Sequence, residues 1–244
     1  MKLYNDDCLN VLKTIPSESI DLILTDCPYH IVSGGCSNND QWGGIFNKSK
    51  VDNFENVKTG KIFKHNDIEF KDWLPECYRV LKERTHIYIY INALNLKDLW
   101  VEAEKVGFIF QQLIVWKKNN ALPNRYYLNS CEFILMMRKG NAKTINNTSS
   151  KNLLEIDNKI GSKTHPTEKP VELNKIFIEN STKENELVMD LFMGSGSCGV
   201  ACKELNRDFI GIEIDEKYFN IAKQRIENVI IHDEEKIDLF NMEV

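Results

Sequence analysis

The sequence predicts a single α/β domain built on an open, mostly parallel β-sheet. Short apolar runs alternate with stretches in which apolar residues recur at helical spacing, a pattern typical of strand–helix–strand units. Several of the apolar runs, such as residues 20–24 and 209–212, lack polar alternation, as parallel strands covered on both faces do. A chain of 244 residues that is 42% hydrophobic and 27% charged is long enough for one such core.

Seven strands are predicted, each where an apolar run ends in turn-forming residues. They cover residues 2–5, 20–25, 85–91, 108–116, 132–137, 186–191 and 208–214. Helical stripes lie between them: one follows a capping-box pattern from Asn66 to Glu69, one has Pro170 in its first turn, and one ends the fold near Ile226. Residues 31–65 and 140–163 are rich in Asn, Ser, Gly and Lys, and their length predicts two loop insertions.

The charge of the chain is unevenly distributed. The formal net charge is -5, which argues against a protein that binds nucleic acid over most of its surface. Residues 111–165 nevertheless carry nine basic and three acidic residues, a net of +6, whereas residues 176–244 carry seven and fifteen, a net of -8, and end in an acidic tail at 230–244. The sequence therefore leaves room for one local basic face.

The cysteines and the apolar runs indicate the compartment. The seven cysteines are odd in number and contain no C-x-x-C pair, and the chain opens without a secretory signal pattern. No apolar run approaches the roughly 18 residues that a membrane span needs. We expect a soluble cytoplasmic protein with reduced thiols and no membrane contact.

A glycine-rich turn follows the strand at 186–191. Gly194-x-Gly196-x-x-Gly199 precedes a helix that runs to Leu205, and Glu213 lies nineteen positions after Gly194 at the end of the next strand. Glycines permit a sharp turn and close approach of a ligand, and the acid can accept hydrogen bonds from ribose hydroxyls, so this unit predicts nucleoside binding. Only about thirty residues follow Glu213, so the rest of the sheet must come from the N-terminal part in a permuted order.

The strand at 20–25 ends in Asp26-Cys27-Pro28-Tyr29. Ligands of open α/β sheets bind beyond the carboxyl ends of the strands, so Asp26 should face the same crevice as the glycine turn. Pro28 stiffens the segment, which presents a carboxylate, backbone carbonyls and an aromatic ring. This set suits a planar ring with an exocyclic amino group. The alternative is a plain turn in which Asp26 caps and Tyr29 packs.

Together these segments resemble the β-ordered amino-group DNA methyltransferases. Asp26-Cys27-Pro28-Tyr29 resembles the (D/N/S)-P-P-Y motif, Phe192-x-Gly194-x-Gly196 resembles the F-x-G-x-G cofactor motif, and residues 165–170 are similar to the segment before the cofactor motif. The catalytic motif comes first and the cofactor motif last, as in this subgroup. The departures are Cys27 for the first proline, Asp6 for a glycine, and Leu191 for the proline of D-P-F.

The resemblance implies a single Rossmann-like methyltransferase domain over residues 1–244 with seven strands. It implies transfer of a methyl group from S-adenosylmethionine to adenine N6 in DNA, or to cytosine N4, on a base flipped out of the helix and without a metal. The implied catalytic residues are Asp26, Cys27, Pro28 and Tyr29. The implied cofactor-binding residues are Asp7, Asp26, His165, Thr167, Lys169, Asp190, Phe192, Gly194, Ser195, Gly196 and Glu213. Among these, Glu213 would bind the ribose hydroxyls, Asp7 the adenine amino group, and Lys169 the methionine carboxylate.

The expected DNA contacts lie in the basic middle segment. Lys117, Lys118 and Arg125 precede the aromatic pair Tyr126-Tyr127, and residues 140–163 occupy the family's target-recognition position. The expected partners are DNA, a second copy of the chain in a homodimer, and a cognate restriction endonuclease of a prokaryote or phage. Three alternatives stay open: an NAD-dependent oxidoreductase, a catalytically inactive nucleic-acid-binding relative, and a methyltransferase acting on RNA or protein glutamine.

Overall fold

A computed structural model describes residues 1–28, 68–122, 127–158 and 168–230. The strands in these ranges are β1 (Lys2–Tyr4), β2 (Ile20–Asp26), β3 (Leu81–Ile91), β4 (Ile109–Leu122), β5 (Asn129–Arg138), β6 (Leu153–Glu155), β7 (Leu187–Asp190) and β8 (Asp208–Ile212). The helices are α1 (Cys8–Leu12), α2 (Phe70–Val80), α3 (Leu96–Val106), α4 (Val171–Ser181), α5 (Ser197–Glu204) and α6 (Glu216–Glu227).

The strands form one sheet in the order β1-β8-β7-β2-β3-β5-β4-β6. The β3–β5 and β5–β4 pairs are antiparallel and the other five pairs are parallel. The C-terminal strands β7 and β8 thus lie between the N-terminal strands β1 and β2, which confirms the predicted mostly parallel sheet in permuted order.

All seven predicted strands are present, but the predicted number was wrong by one. The eighth strand, β6, lies within residues 140–163, for which an irregular loop was predicted. Three residues are too few to show a periodic pattern, and the strand exists because residues 153–155 pair with residues 115–117 of β4. The other predicted insertion, residues 31–65, lies outside the described residues.

The helices fit the predicted pattern less closely. The capping box of α2 is formed by Glu69 and Asp72, with the Glu69 backbone N–H donating to Asp72 Oδ2 at 3.0 Å. The predicted box begins at Asn66, which lies outside the described residues. Helices α1 and α3 were not predicted from the sequence. No helix in the described ranges is long and apolar enough to cross a membrane.

Helices cover both faces of the sheet. One buried cluster contains residues of α1, α2 and α3, and the other contains residues of α4, α5 and α6. Ile23 of β2 belongs to the first cluster, whereas its neighbours Leu22 and Leu24 belong to the second. A strand that packs on both faces needs apolar residues at consecutive positions, which explains the unbroken apolar run.

Candidate active site

The carboxyl ends of three neighbouring strands meet at one edge of the sheet. Asp26 is the last residue of β2, Asp190 is the last residue of β7, and Glu213 directly follows β8. These strands are parallel and adjacent, so the three carboxylates share this edge. The structure therefore brings together the two segments that the sequence analysis assigned to one crevice.

The glycine-rich turn needs glycine for two reasons. Gly194 and Gly196 have φ angles of 51° and 81°, in the left-handed region that L-residues rarely adopt. A Cβ atom on Gly196 would also lie 2.9 Å from the Cβ of Ala222 on α6. The turn can therefore bring its backbone close to both α6 and a ligand at the start of α5.

Glu213 anchors this turn. Its Oε2 accepts a hydrogen bond from the Gly194 N–H and its Oε1 accepts one from the Asp215 N–H, each at 2.9 Å. Burial raises the pKa of Glu213, and these two hydrogen bonds oppose the rise. Each carboxylate oxygen can accept a further hydrogen bond, so Glu213 can hold the turn and still bind hydroxyl groups.

Asp190 lies deeper in the same edge. Its Oδ1 accepts hydrogen bonds from Thr25 Oγ1 at 2.8 Å and from the Phe192 N–H at 3.1 Å. Burial raises the pKa of this carboxyl group to about 7, although both hydrogen bonds favour the ionised form. The site thus contains one carboxyl group that changes protonation near neutral pH.

The loop carbonyl of Ser195 is fixed by an arginine that the sequence analysis missed. Arg225 Nη1 donates to the Ser195 carbonyl at 2.7 Å and to its hydroxyl at 2.8 Å. The other end of the guanidinium lies 3.0 Å from Oε1 of Glu168, whose side chain is 2% exposed. This pair ties the glycine turn to α6 and to the segment before α4.

Asp7 caps a helix. Its Oδ1 accepts a hydrogen bond from the Leu9 N–H at 2.8 Å, at the start of α1. Asn5, two positions before Asp7, donates from its side-chain amide to the Glu213 carbonyl at 2.9 Å, which holds the end of β1 beside β8. The role of Asp7 toward a cofactor adenine stays a prediction.

A row of four alternating charges begins at Asp26. Lys169 Nζ lies 2.5 Å from Asp26 Oδ2 and 3.5 Å from Glu132 Oε2, and Lys118 Nζ lies 2.7 Å from Glu132 Oε1. Lys169 lies between two carboxylates of the chain, and its predicted contact with the methionine carboxylate stays a prediction. We call Asp26, Lys169, Glu132 and Lys118 the charge row.

The pKa values within the charge row follow from burial and pairing. Burial raises the pKa of Asp26, and the ammonium of Lys169 opposes this rise. Burial alone would also raise the pKa of Glu132, but Lys169 and Lys118 hold it below its ordinary value. The carboxylates of the row therefore depend on the two lysines for their charge.

Cys27, which replaces a proline of the family motif, is a packed thiol. The residue is buried, and its Sγ lies 3.8 Å from the carbonyl oxygen of Tyr90 on β3. Burial raises the pKa of the thiol well above its ordinary value. The side chain is therefore neutral, and what the segment can offer a ligand at this position is its backbone.

The predicted DNA contacts are separated by the structure. Lys117 is exposed and lies 3.1 Å from Glu155, whereas Lys118 is 8% exposed and faces Glu132. Lys118 therefore offers little surface to DNA in this structure, and its DNA contact stays a prediction. Four other predicted site residues lie outside the described residues: Tyr29, Arg125, His165 and Thr167.

Sequence reasoning missed Glu132, Glu168 and Arg225 as site residues. Glu132 is the only acid of β5 and directly precedes its apolar run, and an acid beside such a run is the signal that could have identified it. Glu168 and Arg225 carry no comparable signal, because both stand in polar surroundings in the sequence.

Comparisons with known proteins identify the family. A family model described as DNA methylase, of the N6/N4 type, matches residues 20–224. Type II methyltransferase M.HinfI of Haemophilus influenzae is 30% identical over 99% of this chain and 72% of its own length. Type II methyltransferase M2.DpnII of Streptococcus pneumoniae is 33% identical over 93% of this chain and 90% of its own length.

Solved structures show the same fold. The complex of M1.HpyAVI with S-adenosylmethionine covers 92% of this chain and 98% of its own, with 26% identity and a TM-score of 0.67. PvuII DNA methyltransferase, which is cytosine-N4-specific, covers 93% and 87% at 17% identity with a TM-score of 0.68, and shows the fold alone. The chain therefore belongs to the N6/N4 family of DNA methylases, which transfer a methyl group from S-adenosylmethionine to DNA.

Proposed function

We propose that this enzyme methylates the exocyclic N6 amino group of adenine in DNA. The observation that carries the proposal is the Asp26 carboxylate at the end of β2, on the same sheet edge as the glycine turn and Glu213. The motif form that begins with Asp is the commoner one for adenine N6, whereas the form with Ser favours cytosine N4. The fold does not distinguish the two, because a cytosine-N4 enzyme shares it.

The chemistry of the donor set at the sheet edge fits S-adenosylmethionine. Glu213 would accept hydrogen bonds from the ribose hydroxyls, and Asp7 from the adenine amino group. The turn and its neighbours would line the methionine and ribose side: Asp190, Phe192, Gly194, Ser195 and Gly196. His165 and Thr167 complete the proposed set. The cofactor, when bound, supplies an electrophilic methyl group on a sulfonium.

Residues of the chain would activate the amino group by holding it in a reactive orientation. The lone pair of an exocyclic amino nitrogen is delocalised into the ring, so the nitrogen is a poor nucleophile. Asp26 and a backbone carbonyl of the Cys27-Pro28 segment would accept hydrogen bonds from the two N–H groups of this nitrogen. These hydrogen bonds would draw the nitrogen toward tetrahedral geometry. After transfer, the nitrogen must lose one proton, and the Asp26 carboxylate would accept it. Tyr29 is proposed to stack on the flipped base.

The β4–β5 hairpin is the proposed DNA-contact surface. Asp26 pairs with Tyr90 of β3, which pairs with Ile134 of β5, and the hairpin continues beyond this level to the Leu122–Asn129 pair. Tyr127 is 88% exposed near its end, and Lys117 is exposed on its β4 arm. An aromatic ring and a cation beyond the active edge suit a base and a phosphate, with Arg125 as a further contact. The homodimer and the cognate endonuclease stay predictions that rest on the family resemblance.

The test is expression in a host that lacks DNA methylation, followed by sequencing that detects modified bases. We expect N6-methyladenine at one short motif, and none in cells that express Asp26→Asn. N4-methylcytosine instead would overturn the base assignment. Methylated RNA without any DNA mark would overturn DNA as the substrate.

A further inference from the structure

We propose that Lys169 is a positioning residue for methyl transfer: its ammonium fixes one oxygen of Asp26 and leaves the other for the amino group of the base. Glu132 and Lys118 in turn hold Lys169 in place. The proposal rests on the proposed function in that Asp26 receives the amino group. It gives three residues of the charge row a role in the reaction that differs from the cofactor and phosphate contacts predicted for the two lysines.

The two oxygens of the Asp26 carboxylate differ in their contacts. Lys169 Nζ contacts Oδ2 at 2.5 Å, and Oδ1 has no hydrogen-bond partner among the described residues. The Asp26 side chain is 25% exposed, so Oδ1 can be reached from the crevice. A carboxylate held at one oxygen keeps its plane, and an acceptor with a fixed plane can orient the amino group.

Lys169 is itself held on several sides. Its side chain is 10% exposed, its ammonium lies 5.2 Å from the centre of the Tyr90 ring, and Glu132 lies across from Asp26. The Tyr90 hydroxyl donates to Asn174 Oδ1 of α4 at 2.7 Å, which fixes the ring beneath the ammonium. A cation with so little water around it needs counter-charges, and two carboxylates supply them.

Lys118 influences how close Lys169 lies to each of these carboxylates. Its ammonium, on a side chain 6% exposed, lies 2.7 Å from Glu132 Oε1, so Glu132 already has a close cationic partner. Lys169 can therefore stay at 2.5 Å from Asp26 while it lies 3.5 Å from Glu132. Without Lys118, Glu132 would compete for Lys169 and draw it from Asp26.

Two substitutions in the charge row should shift the pKa of Asp26 in opposite directions. Within the described ranges, the groups that face Asp26 are Lys169, Glu132 on β5, Asp190 on β7, and the neutral Cys27 and Tyr90. Lys169 lowers the pKa of Asp26 and Glu132 raises it. Lys169→Met should therefore raise the pKa of Asp26, and Glu132→Gln should lower it. Opposite shifts would show that both groups act on the Asp26 carboxyl group, and a matching change in the pH dependence of kcat would show that this action reaches the reaction.

The experiment is a carbon-13 NMR titration of aspartate carboxyl groups in the full chain without cofactor. The Asp26 signal is identified by its loss in Asp26→Asn. We expect an upward shift of about one to three pH units in Lys169→Met, a downward shift in Glu132→Gln, and the wild-type value in Lys169→Arg. The matched control is Lys175→Met, which removes a lysine paired with Glu172 and Glu204 at 3.1 and 2.7 Å and should not move the signal.

Equal Asp26 titrations in the wild type, Lys169→Met and Glu132→Gln would overturn the proposal. If Lys169→Met does not fold, as judged by circular dichroism, the downward shift in Glu132→Gln decides the question alone. The titration uses neither DNA nor cofactor, so an error in the proposed base leaves its result standing. The second readout is the dependence of kcat on pH. Its acid limb should shift in each variant by as much as the pKa of Asp26 does.

Discussion

The substitution Gly196→Ala tests the account of the glycine turn, because its cost can be worked out from two separate terms. Gly196 has φ at 81°, and an L-residue in the left-handed region costs about 1–2 kcal/mol. The new Cβ would lie 2.9 Å from the Ala222 Cβ and 3.0 Å from the Ala222 Cα, and such overpacking costs about 1–3 kcal/mol. We expect the free energy of unfolding to fall by about 2–5 kcal/mol.

The assay is urea unfolding followed by circular dichroism in a double-mutant cycle. Ala222→Gly alone should cost about 1 kcal/mol, since it places a glycine inside α6. It also removes the closest atom, so Gly196→Ala should cost less in this background than in the wild type. Gly107→Ala is the control: it strains the end of α3, where φ is 115°, its new Cβ would meet Tyr78, and its cost should be the same in the wild type and in Ala222→Gly. Strictly additive losses, or a loss below about 0.5 kcal/mol for Gly196→Ala, would refute the reasoning.

Three further predictions concern the carboxylates and the hairpin. Glu213→Ala should weaken S-adenosylmethionine binding by about 1.5–3 kcal/mol in calorimetry, and unchanged affinity would remove the ribose assignment. The raised pKa of Asp190, about 7, means that the folded state holds a proton that the unfolded chain releases near pH 4, so stability falls as pH rises toward 7. Asp190→Asn should abolish this term, about 2–3 kcal/mol between pH 5 and pH 8 in urea unfolding, and an unchanged pH dependence would contradict it. Tyr127→Ala should weaken DNA binding by about 1–3 kcal/mol in fluorescence anisotropy with cofactor affinity unchanged, and equal DNA affinity would exclude a stacking role.

The sequence was sufficient to predict that Asp26, the glycine turn and Glu213 share one edge. Each follows or ends a parallel strand, and the carboxyl ends of parallel strands meet at the same edge of a sheet. The permuted strand order agrees with the order of the motifs, because the glycine turn follows Asp26 in the sequence. These inferences needed only local patterns and a general rule of α/β folds.

The charge row could not be predicted in this way. Asp26 and Lys169 are 143 positions apart, and their contact depends on how the segment before α4 packs over the sheet. Lys117 and Lys118 are neighbours in β4 and point to opposite faces of the strand, so one is exposed and the other is buried. The sequence alone does not separate them, and both were predicted to contact DNA. The three-residue strand β6 was missed because only its pairing with β4 defines it.

The central claim is that Asp26 activates the amino group of the target base, while other residues of the same sheet edge supply most of the cofactor site. The most direct measurement compares the wild type with Asp26→Ala in transfer of a tritiated methyl group from S-adenosylmethionine to DNA, together with cofactor binding by calorimetry. We predict that Asp26→Ala abolishes methyl transfer while the cofactor still binds. Methyl transfer that persists in Asp26→Ala would contradict the account.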